Sequence, residues 1–238
     1  MHPPLVDERT GTRWRWWIAD LRSARACWLL VSLFAGIHGL IVGLGSPDWI
    51  FLRFGLSGNH LDLTIIWRCF TYAFIHGNSG HLLLNVAGLL LIGSRVERIA
   101  GSSTVLKVFT IGALVGGLAQ ITLAPPGQQG IPLVGASGGI AALLLWLTTA
   151  SPDSRTWPFR LSGRNLGRGV MLAEAGFLAA AWWIPESGLQ PVAHACHLGG
   201  ALAGVGIACR LLRPAPSLQD LKKERARRES ADGPGRLR

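Results

Sequence analysis

Three observations predict an all-α membrane protein with six transmembrane helices. The chain of 238 residues is 49% hydrophobic and only 15% charged, a composition too apolar for an ordinary soluble domain. Six apolar segments follow one another along it. Lys and Arg nevertheless number 23 against 13 Asp and Glu, and they fall in short blocks between the apolar runs. Such blocks are typical of membrane proteins, and they disfavour nucleic acid as a partner.

The six apolar segments define the predicted helices. They cover roughly residues 26–46, 80–94, 103–124, 137–150, 168–185 and 193–212. Several are shorter than the about 20 residues that a perpendicular helix needs to cross the hydrocarbon core. Short segments indicate a thinned bilayer or helix ends that lie below its surface. The first segment lacks a small-residue cleavage site, so we expect a retained helix rather than a signal peptide.

The positive charges predict which side of the membrane each connection occupies. All Lys and Arg residues except Arg53 and Arg68 lie in the two tails or around the second and fourth connections. Because basic residues stay on the cytoplasmic side, both termini are predicted to be cytosolic. Segments 47–79, 125–136 and 186–192 then face outward. We expect a multi-pass protein of a bacterial inner membrane.

One membrane domain, residues 26–212, is predicted between two tails. Residues 1–25 interleave Trp16 and Trp17 with arginines, which is typical of an interfacial helix or aromatic belt in contact with membrane lipids. Residues 213–238 are basic, and we expect a disordered cytosolic tail. The four cysteines show no CxxC spacing, so neither a disulfide framework nor a metal site is expected.

Polar residues converge at the outward ends of spans two, four and six, which all run in the same direction. Span two begins with His81 and Asn85, span four with Ser137, and span six with His194 and His197. Polar groups within a bilayer are unfavourable unless they are paired, hydrated or functional. Each motif alone is compatible with helix packing. Their shared predicted depth is what indicates a site.

The chemistry of these residues predicts nucleophilic catalysis. His197 can take the proton of Ser137, with His194 as a second candidate base. His81 and Asn85 can donate hydrogen bonds to an oxyanion beside the backbone N–H of Ser137. No acid is expected at this depth, because Glu174 lies about six residues from the cytosolic start of span five. A dyad is therefore predicted rather than a triad.

Glycines surround the two predicted catalytic residues. Gly135 and Gly138 flank Ser137, and Gly200 and Gly204 follow His197 at four-residue spacing. Small residues at this spacing let membrane helices approach closely, which a dyad shared between spans four and six requires. Span four has only about 14 residues, so its serine end is predicted to lie below the membrane surface.

The motifs WRCFTYAFIHGNSGHLLLN, GSRVE, GASGG and HLGGALAG occur in that order, and together they resemble the rhomboid family of intramembrane serine proteases. The resemblance covers roughly residues 25–212. It implies Ser137 as nucleophile, His197 as general base and His81 with Asn85 as the oxyanion pair. It also implies cleavage of transmembrane protein substrates, without a cofactor or a metal.

Further positions resemble the family's pattern. Trp67 and Arg68 match its paired Trp-Arg in a partly embedded first outward loop, and His76 and Glu97 match positions that support the structure. Ala141 is a departure, since many family members carry an aromatic residue there that stacks on the catalytic histidine. The orientation of the histidine must then depend on other neighbours.

Other functions remain open on the sequence alone. A rhombosortase-like enzyme that processes tagged surface proteins shares these motifs. A non-catalytic rhomboid relative that binds membrane proteins would be expected to lose the serine or the histidine, and both are present. A metalloprotease would show HExxH, and a transporter would show more charges within the bundle; neither pattern occurs. The oligomeric state is not predicted.

Overall fold

The computed structural model describes residues 20–58, 62–156, 161–184, 188, 192–211, 222–223, 225 and 227. Most of these residues are helical. The helices are α1 (Arg25–Gly43), α2 (Asp48–Phe54), α3 (Ile65–Thr71), α4 (Ser79–Gly88), α5 (Ser94–Ala100), α6 (Ser102–Leu123), α7 (Ser137–Ala150), α8 (Gly163–Trp183) and α9 (His194–Leu211). The predicted interfacial helix around Trp16 and Trp17 lies outside the described residues, as does nearly all of the predicted tail.

Each predicted apolar segment coincides with a helical segment. The second combines α4, a π-helical turn at Leu89–Gly93 and α5, so it is longer than predicted. The fifth, α8, begins at Gly163, where the Ser162 side chain caps it by accepting a hydrogen bond from the Asn165 N–H. Among the described helices, α1 and α6 are long and apolar enough to cross a membrane, and α7 is a shorter apolar helix. That all six segments span the bilayer stays a prediction.

The connection between α7 and α8 contains a small addition to the helical architecture. Arg155–Thr156 (β1) pairs antiparallel with Leu161–Ser162 (β2), which leads directly into α8. Because α7 begins at Ser137, this hairpin lies at the other end of the helix from the predicted nucleophile.

At the centre of the bundle, α7 packs against both α6 and α9, which also pack against each other. Most of its side chains are buried. A Cβ added to Gly200 of α9 would meet the carbonyl oxygen of Gly138, and one added to Gly204 would meet that of Ala142. The two helices therefore pack backbone against backbone. This confirms the close approach that the glycine spacing predicts.

Glu97, in the middle of α5, connects the start of α1 to the rest of the bundle through hydrogen bonds. Its Oε1 accepts hydrogen bonds from the Ala26 N–H (2.8 Å) and the Ser102 hydroxyl (2.6 Å), and its Oε2 accepts one from the Cys27 N–H (3.2 Å). The first N–H groups of a helix have no partner within it, so this carboxylate satisfies donors at the start of α1. These contacts fit the structural role expected for Glu97.

The connection between α1 and α4 packs on the segment that precedes α7. Leu56 and Leu133 exchange backbone hydrogen bonds of 3.1 and 2.7 Å. The Gly135 N–H donates to the carbonyl of Tyr72 at 2.9 Å. Tyr72 is fully buried, and its hydroxyl donates to the carbonyl of Ala113 in α6. The first long connection thus fixes the backbone just before α7.

Candidate active site

A cavity of about 640 Å³ lies where α4, α7 and α9 begin. Ser137, the first residue of α7, is on its wall together with His81, Asn85 and His197. Most of the remaining wall is apolar. Polar side chains from three helices that start at one end of the bundle therefore meet in one place, as their shared predicted depth requires.

The Ser137 hydroxyl and the His197 imidazole form a hydrogen bond. Oγ of Ser137 lies 2.8 Å from Nε2 of His197. The first turn of α9, which carries His197, is fixed by Gln120 of α6, whose side-chain oxygen accepts a hydrogen bond from the Cys196 N–H at 3.1 Å. A serine hydroxyl in contact with an imidazole is the arrangement that an activated nucleophile requires.

Glu174 of α8 lies beside this pair, so the expectation that no acid reaches the site was wrong. Its Oε1 is 3.0 Å from Nδ1 of His197. Its Oε2 is 2.7 Å from Nδ1 of His194. The prediction failed because residue counts along one helix do not fix how far that helix is shifted along its neighbours. Glu174 stands near the middle of α8, and that level of α8 faces the first turn of α9.

His194 occupies a different position from His197. Its hydrogen bond is to Glu174, whereas the hydrogen bond of the Ser137 hydroxyl is to His197. The geometry therefore favours His197 over His194 as the base.

His81 and Asn85 stand one turn apart on α4 and both face the cavity. The Asn85 Nδ2 donates to the carbonyl of His81 at 2.9 Å. An amide nitrogen carries two hydrogens, so one N–H of Asn85 remains for a bound group. The N–H of Ser137 adds a further donor at the positive end of the α7 dipole. These groups together have the chemistry of an oxyanion hole.

Two glycines and His76 hold the site from behind. Gly135 has φ +113°, and a Cβ there would lie 2.6 Å from the His81 ring. Gly138 packs on Cys196, whose Sγ would lie 2.7 Å from an added Cβ. His76 is fully buried, and its ring centre is 5.3 Å from that of His81. These contacts fit the support predicted for all three positions.

Trp67 and Arg68 of α3 do not line the cavity. The guanidinium of Arg53 lies over the Trp67 ring, 5.2 Å from its centre. Arg68 is buried with 6% of its surface exposed. The structure therefore places this pair in the fold of the first connection rather than among the groups that face Ser137.

The chain matches the Rhomboid domain over residues 64–214, which is more than half of its length. It belongs to the rhomboid family. It is 31% identical to Rhomboid-related protein 3 of Homo sapiens over 155 residues, or 62% of this chain and 37% of that protein. It is 28% identical to Rhomboid protease GlpG of Salmonella paratyphi A over 147 residues, or 60% of this chain and 48% of that protein. The matched region spans less than half of each relative.

Three side chains of this rhomboid have the composition of a metal site. The ligand atoms of Glu174, His194 and His197 all lie within 4.8 Å of one another. Zinc bonds of about 2.0–2.1 Å in tetrahedral geometry separate neighbouring ligand atoms by roughly 3.3 Å. The two Nδ1–oxygen distances here are 2.7 and 3.0 Å, as in direct hydrogen bonds. Both imidazoles therefore contact the Glu174 carboxylate directly, with no ion between them.

Sequence reasoning misses two polar residues of the rhomboid site. It dismisses Glu174 on depth, and it does not consider Gln120, which caps the turn of α9 that carries His197. Both residues interrupt apolar stretches of predicted spans. Because a buried polar group in a membrane helix requires a partner, each carries a detectable signal. The partner of each residue, however, lies on another helix, and the local sequence pattern does not predict which residue that is.

Proposed function

We propose that this rhomboid is an intramembrane serine endopeptidase that cleaves transmembrane segments of membrane proteins, with Ser137 as nucleophile and His197 as general base. The observation that carries the proposal is the 2.8 Å hydrogen bond between Ser137 Oγ and His197 Nε2, on the wall of a cavity. A non-catalytic relative that only binds membrane proteins would not need this pair. No contact in the described residues favours rhombosortase-like processing over general cleavage.

The reaction follows from the positions of these two side chains. Ser137 Oγ attacks the carbonyl carbon of the scissile peptide while its proton passes to Nε2 of His197. The tetrahedral intermediate collapses as His197 returns that proton to the departing amine, which leaves an acyl-serine. A water molecule, deprotonated by His197, then attacks the acyl carbon, and the proton goes back to Ser137. Both steps form and break one acyl bond.

The negative charge of the intermediate develops on the carbonyl oxygen of the substrate. The Ser137 N–H, the His81 ring and the free Asn85 N–H are the donors proposed to stabilise it. Because most of the remaining cavity wall is apolar, preorganised donors are worth more there than at a solvated surface. Gly135 is required for this arrangement, since any side chain at that position would displace the His81 ring.

The placement in the membrane is also proposed. Both termini are cytosolic, and the cavity opens towards the outside of a bacterial inner membrane. Large apolar side chains of the first connection are exposed, which supports a loop partly embedded in lipid; they are Trp49, Leu52, Leu63, Ile66 and Phe70. Exposed apolar clusters of this size are unfavourable in water. The site would then meet peptide bonds near the outer end of a substrate's transmembrane segment.

A fluorophosphonate serine-hydrolase probe tests the proposal without knowledge of the substrate. In detergent, the parent chain is expected to be labelled and Ser137→Ala is expected to lose the label. Ser79→Ala is the matched control, because Ser79 also begins a helix and its Oγ lies 3.1 Å from Nε2 of His38. Labelling that persists in Ser137→Ala, or that disappears in Ser79→Ala, would contradict the proposal.

A further inference from the structure

We infer that Glu174 is a positioning residue that holds His197 for catalysis, and that His194 holds Glu174 in turn. The site then consists of four side chains joined by hydrogen bonds, in the order His194–Glu174–His197–Ser137, rather than an isolated dyad. This inference rests on the proposed function, since positioning has meaning only if His197 acts on Ser137.

The hydrogen bonds form one continuous line. Ser137 Oγ is 2.8 Å from Nε2 of His197, and Nδ1 of the same ring is 3.0 Å from Oε1 of Glu174. Oε2 of Glu174 is 2.7 Å from Nδ1 of His194. Each carboxylate oxygen therefore has one imidazole partner. Rotation of the Glu174 carboxylate would break both contacts together.

The carboxylate determines the tautomer of His197. An ionised carboxylate only accepts hydrogen bonds, so Nδ1 of His197 must carry the proton in that contact. In a neutral imidazole the other nitrogen, Nε2, then carries the lone pair. Nε2 is the atom that faces the Ser137 hydroxyl. Glu174 thus selects the form of His197 that can accept the serine proton.

The same carboxylate stabilises the positive charge that forms on His197 during the reaction. When His197 takes the proton it becomes an imidazolium, with Oε1 of Glu174 in contact with its Nδ1. The Glu174 side chain is only 20% exposed, and that of His197 is 19% exposed. In such surroundings an opposite charge at hydrogen-bond distance is screened less than at a surface. The carboxylate therefore stabilises the charged intermediate as well as the starting tautomer.

The surroundings leave few other groups to orient the ring of His197. Ala141, one turn after Ser137 on α7, has no ring to stack on it. The nearest ring described around His197 is that of His194, at a centroid distance of 6.3 Å. His194 is 6% exposed and packs against the Phe177 ring at 5.2 Å, so it gives Glu174 a fixed donor. Packing thus fixes the orientation of His194. The hydrogen bonds from His194 to Glu174 and from His197 to Glu174 then fix the orientation of the His197 ring.

The test compares Glu174→Ala and Glu174→Gln with the parent by the rate of fluorophosphonate labelling and by cleavage of a transmembrane reporter. Loss of the acid of a serine triad lowers turnover by about 10⁴-fold, and we expect at least about a hundredfold here, with KM changed little. Gln keeps the size of the side chain but not its charge. A loss of activity in Glu174→Gln therefore reports the loss of the charge rather than a packing defect. Glu97→Gln is the matched control, because Glu97 is also a buried carboxylate but caps α1.

A double-mutant cycle separates positioning from a purely structural role. If Glu174 acts through His197, Glu174→Ala should have almost no further effect in a His197→Ala background. A residue that only stabilises the fold would lower labelling in both backgrounds. Nitrogen-15 NMR of histidine-labelled protein gives a second readout. We expect Nδ1 of His197 to be protonated in the parent and the two tautomers to mix in Glu174→Ala.

The outcomes distinguish this inference from the proposed function. If the parent is labelled at Ser137 and both Glu174 variants react within about threefold of it, the positioning role is overturned while the protease proposal stands. Equal losses in the parent and His197→Ala backgrounds overturn it as well. If Ser137 is not the labelled residue, the proposed function fails and the inference fails with it.

Discussion

The carbonyl oxygen of Gly138 occupies the space in which a side chain on Gly200 would begin. Gly138 follows Ser137, the proposed nucleophile, and Gly200 lies one turn after His197 on the facing helix. The distance between Ser137 and His197 is therefore set by contact between two backbones.

Gly200→Ala should separate α7 from α9 and weaken the Ser137–His197 hydrogen bond. Overpacking of a dense interior destabilises by about 1–3 kcal/mol, and we expect fluorophosphonate labelling to slow by at least about tenfold. Gly206→Ala is the control on the same helix, because an added Cβ there has no atom within 4 Å. Equal labelling rates for the two variants would show that backbone contact does not set the geometry of the pair.

Ser137 and His197 should act as a unit. If one step needs both groups, Ser137→Ala, His197→Ala and the double variant should lose similar amounts of activity, because effects within such a unit are strongly non-additive. The measurement is the cleavage rate of a transmembrane reporter in detergent, with His38→Ala as the comparison histidine, because the His38 ring contacts Ser79 and does not line the cavity. Losses that multiply in the double variant would count against the shared step.

Asn85 should stabilise the oxyanion rather than bind the substrate. Removal of one oxyanion donor typically lowers turnover by about 10²–10³-fold. Because the Ser137 N–H remains, Asn85→Ala should reduce kcat strongly without abolishing it and should leave KM nearly unchanged. Leu83→Ala serves as a control, since Leu83 is an exposed residue of the same helix. A loss confined to KM would assign Asn85 to binding instead.

The sequence predicts the six helical segments and the meeting of Ser137 and His197, because apolar runs and glycine spacing are local signals. The position of Glu174 could not be predicted in the same way. Its depth depends on where α8 begins, which the Ser162 cap determines, and on how α8 is shifted along α9. Such shifts result from packing between helices. For this reason the polar residues at the predicted outward ends of the spans identify His197 but not Glu174, its carboxylate partner.

His76 should make the fold sensitive to acid. It lies between α3 and α4, outside the transmembrane helices, and burial, with smaller contributions from His81 and His38, lowers its pKa from 6.5 to about 4. A depressed histidine pKa contributes stability that is complete above the unfolded pKa and is lost as pH falls from about 6.5 to 4. That shift corresponds to about 3 kcal/mol.

His76→Phe tests this effect, because it keeps a ring beside Phe34 and cannot take up a proton. The measurement is the unfolding midpoint in detergent at several pH values between 7.5 and 4.5. The parent should lose stability relative to His76→Phe as the pH falls. Parallel curves for the two proteins would exclude His76 as the acid-sensitive group.

Substrate cleavage should depend on local unwinding of the substrate helix. The Ser137 Oγ can attack only a carbonyl that is exposed, whereas an α-helix holds its carbonyls in internal hydrogen bonds and covers them with side chains. Substrates are therefore expected to be single-span proteins with Gly or Pro near the outer end of the span.

A matched series of single-span reporters in detergent, with mass spectrometry to locate the cut, tests this dependence. Replacing Gly and Pro by Leu near the cut, while the cut residues stay the same, should slow cleavage, since each replacement removes about 1 kcal/mol (Gly) to about 3 kcal/mol (Pro) of helix destabilisation. The same replacements near the cytosolic end of the span are the control and should have little effect, because Ser137 is proposed to lie near the outer surface. Equal cleavage of helix-stabilised reporters, or cuts at the cytosolic end, would mean that the site meets its substrate at another depth or binds it as an intact helix.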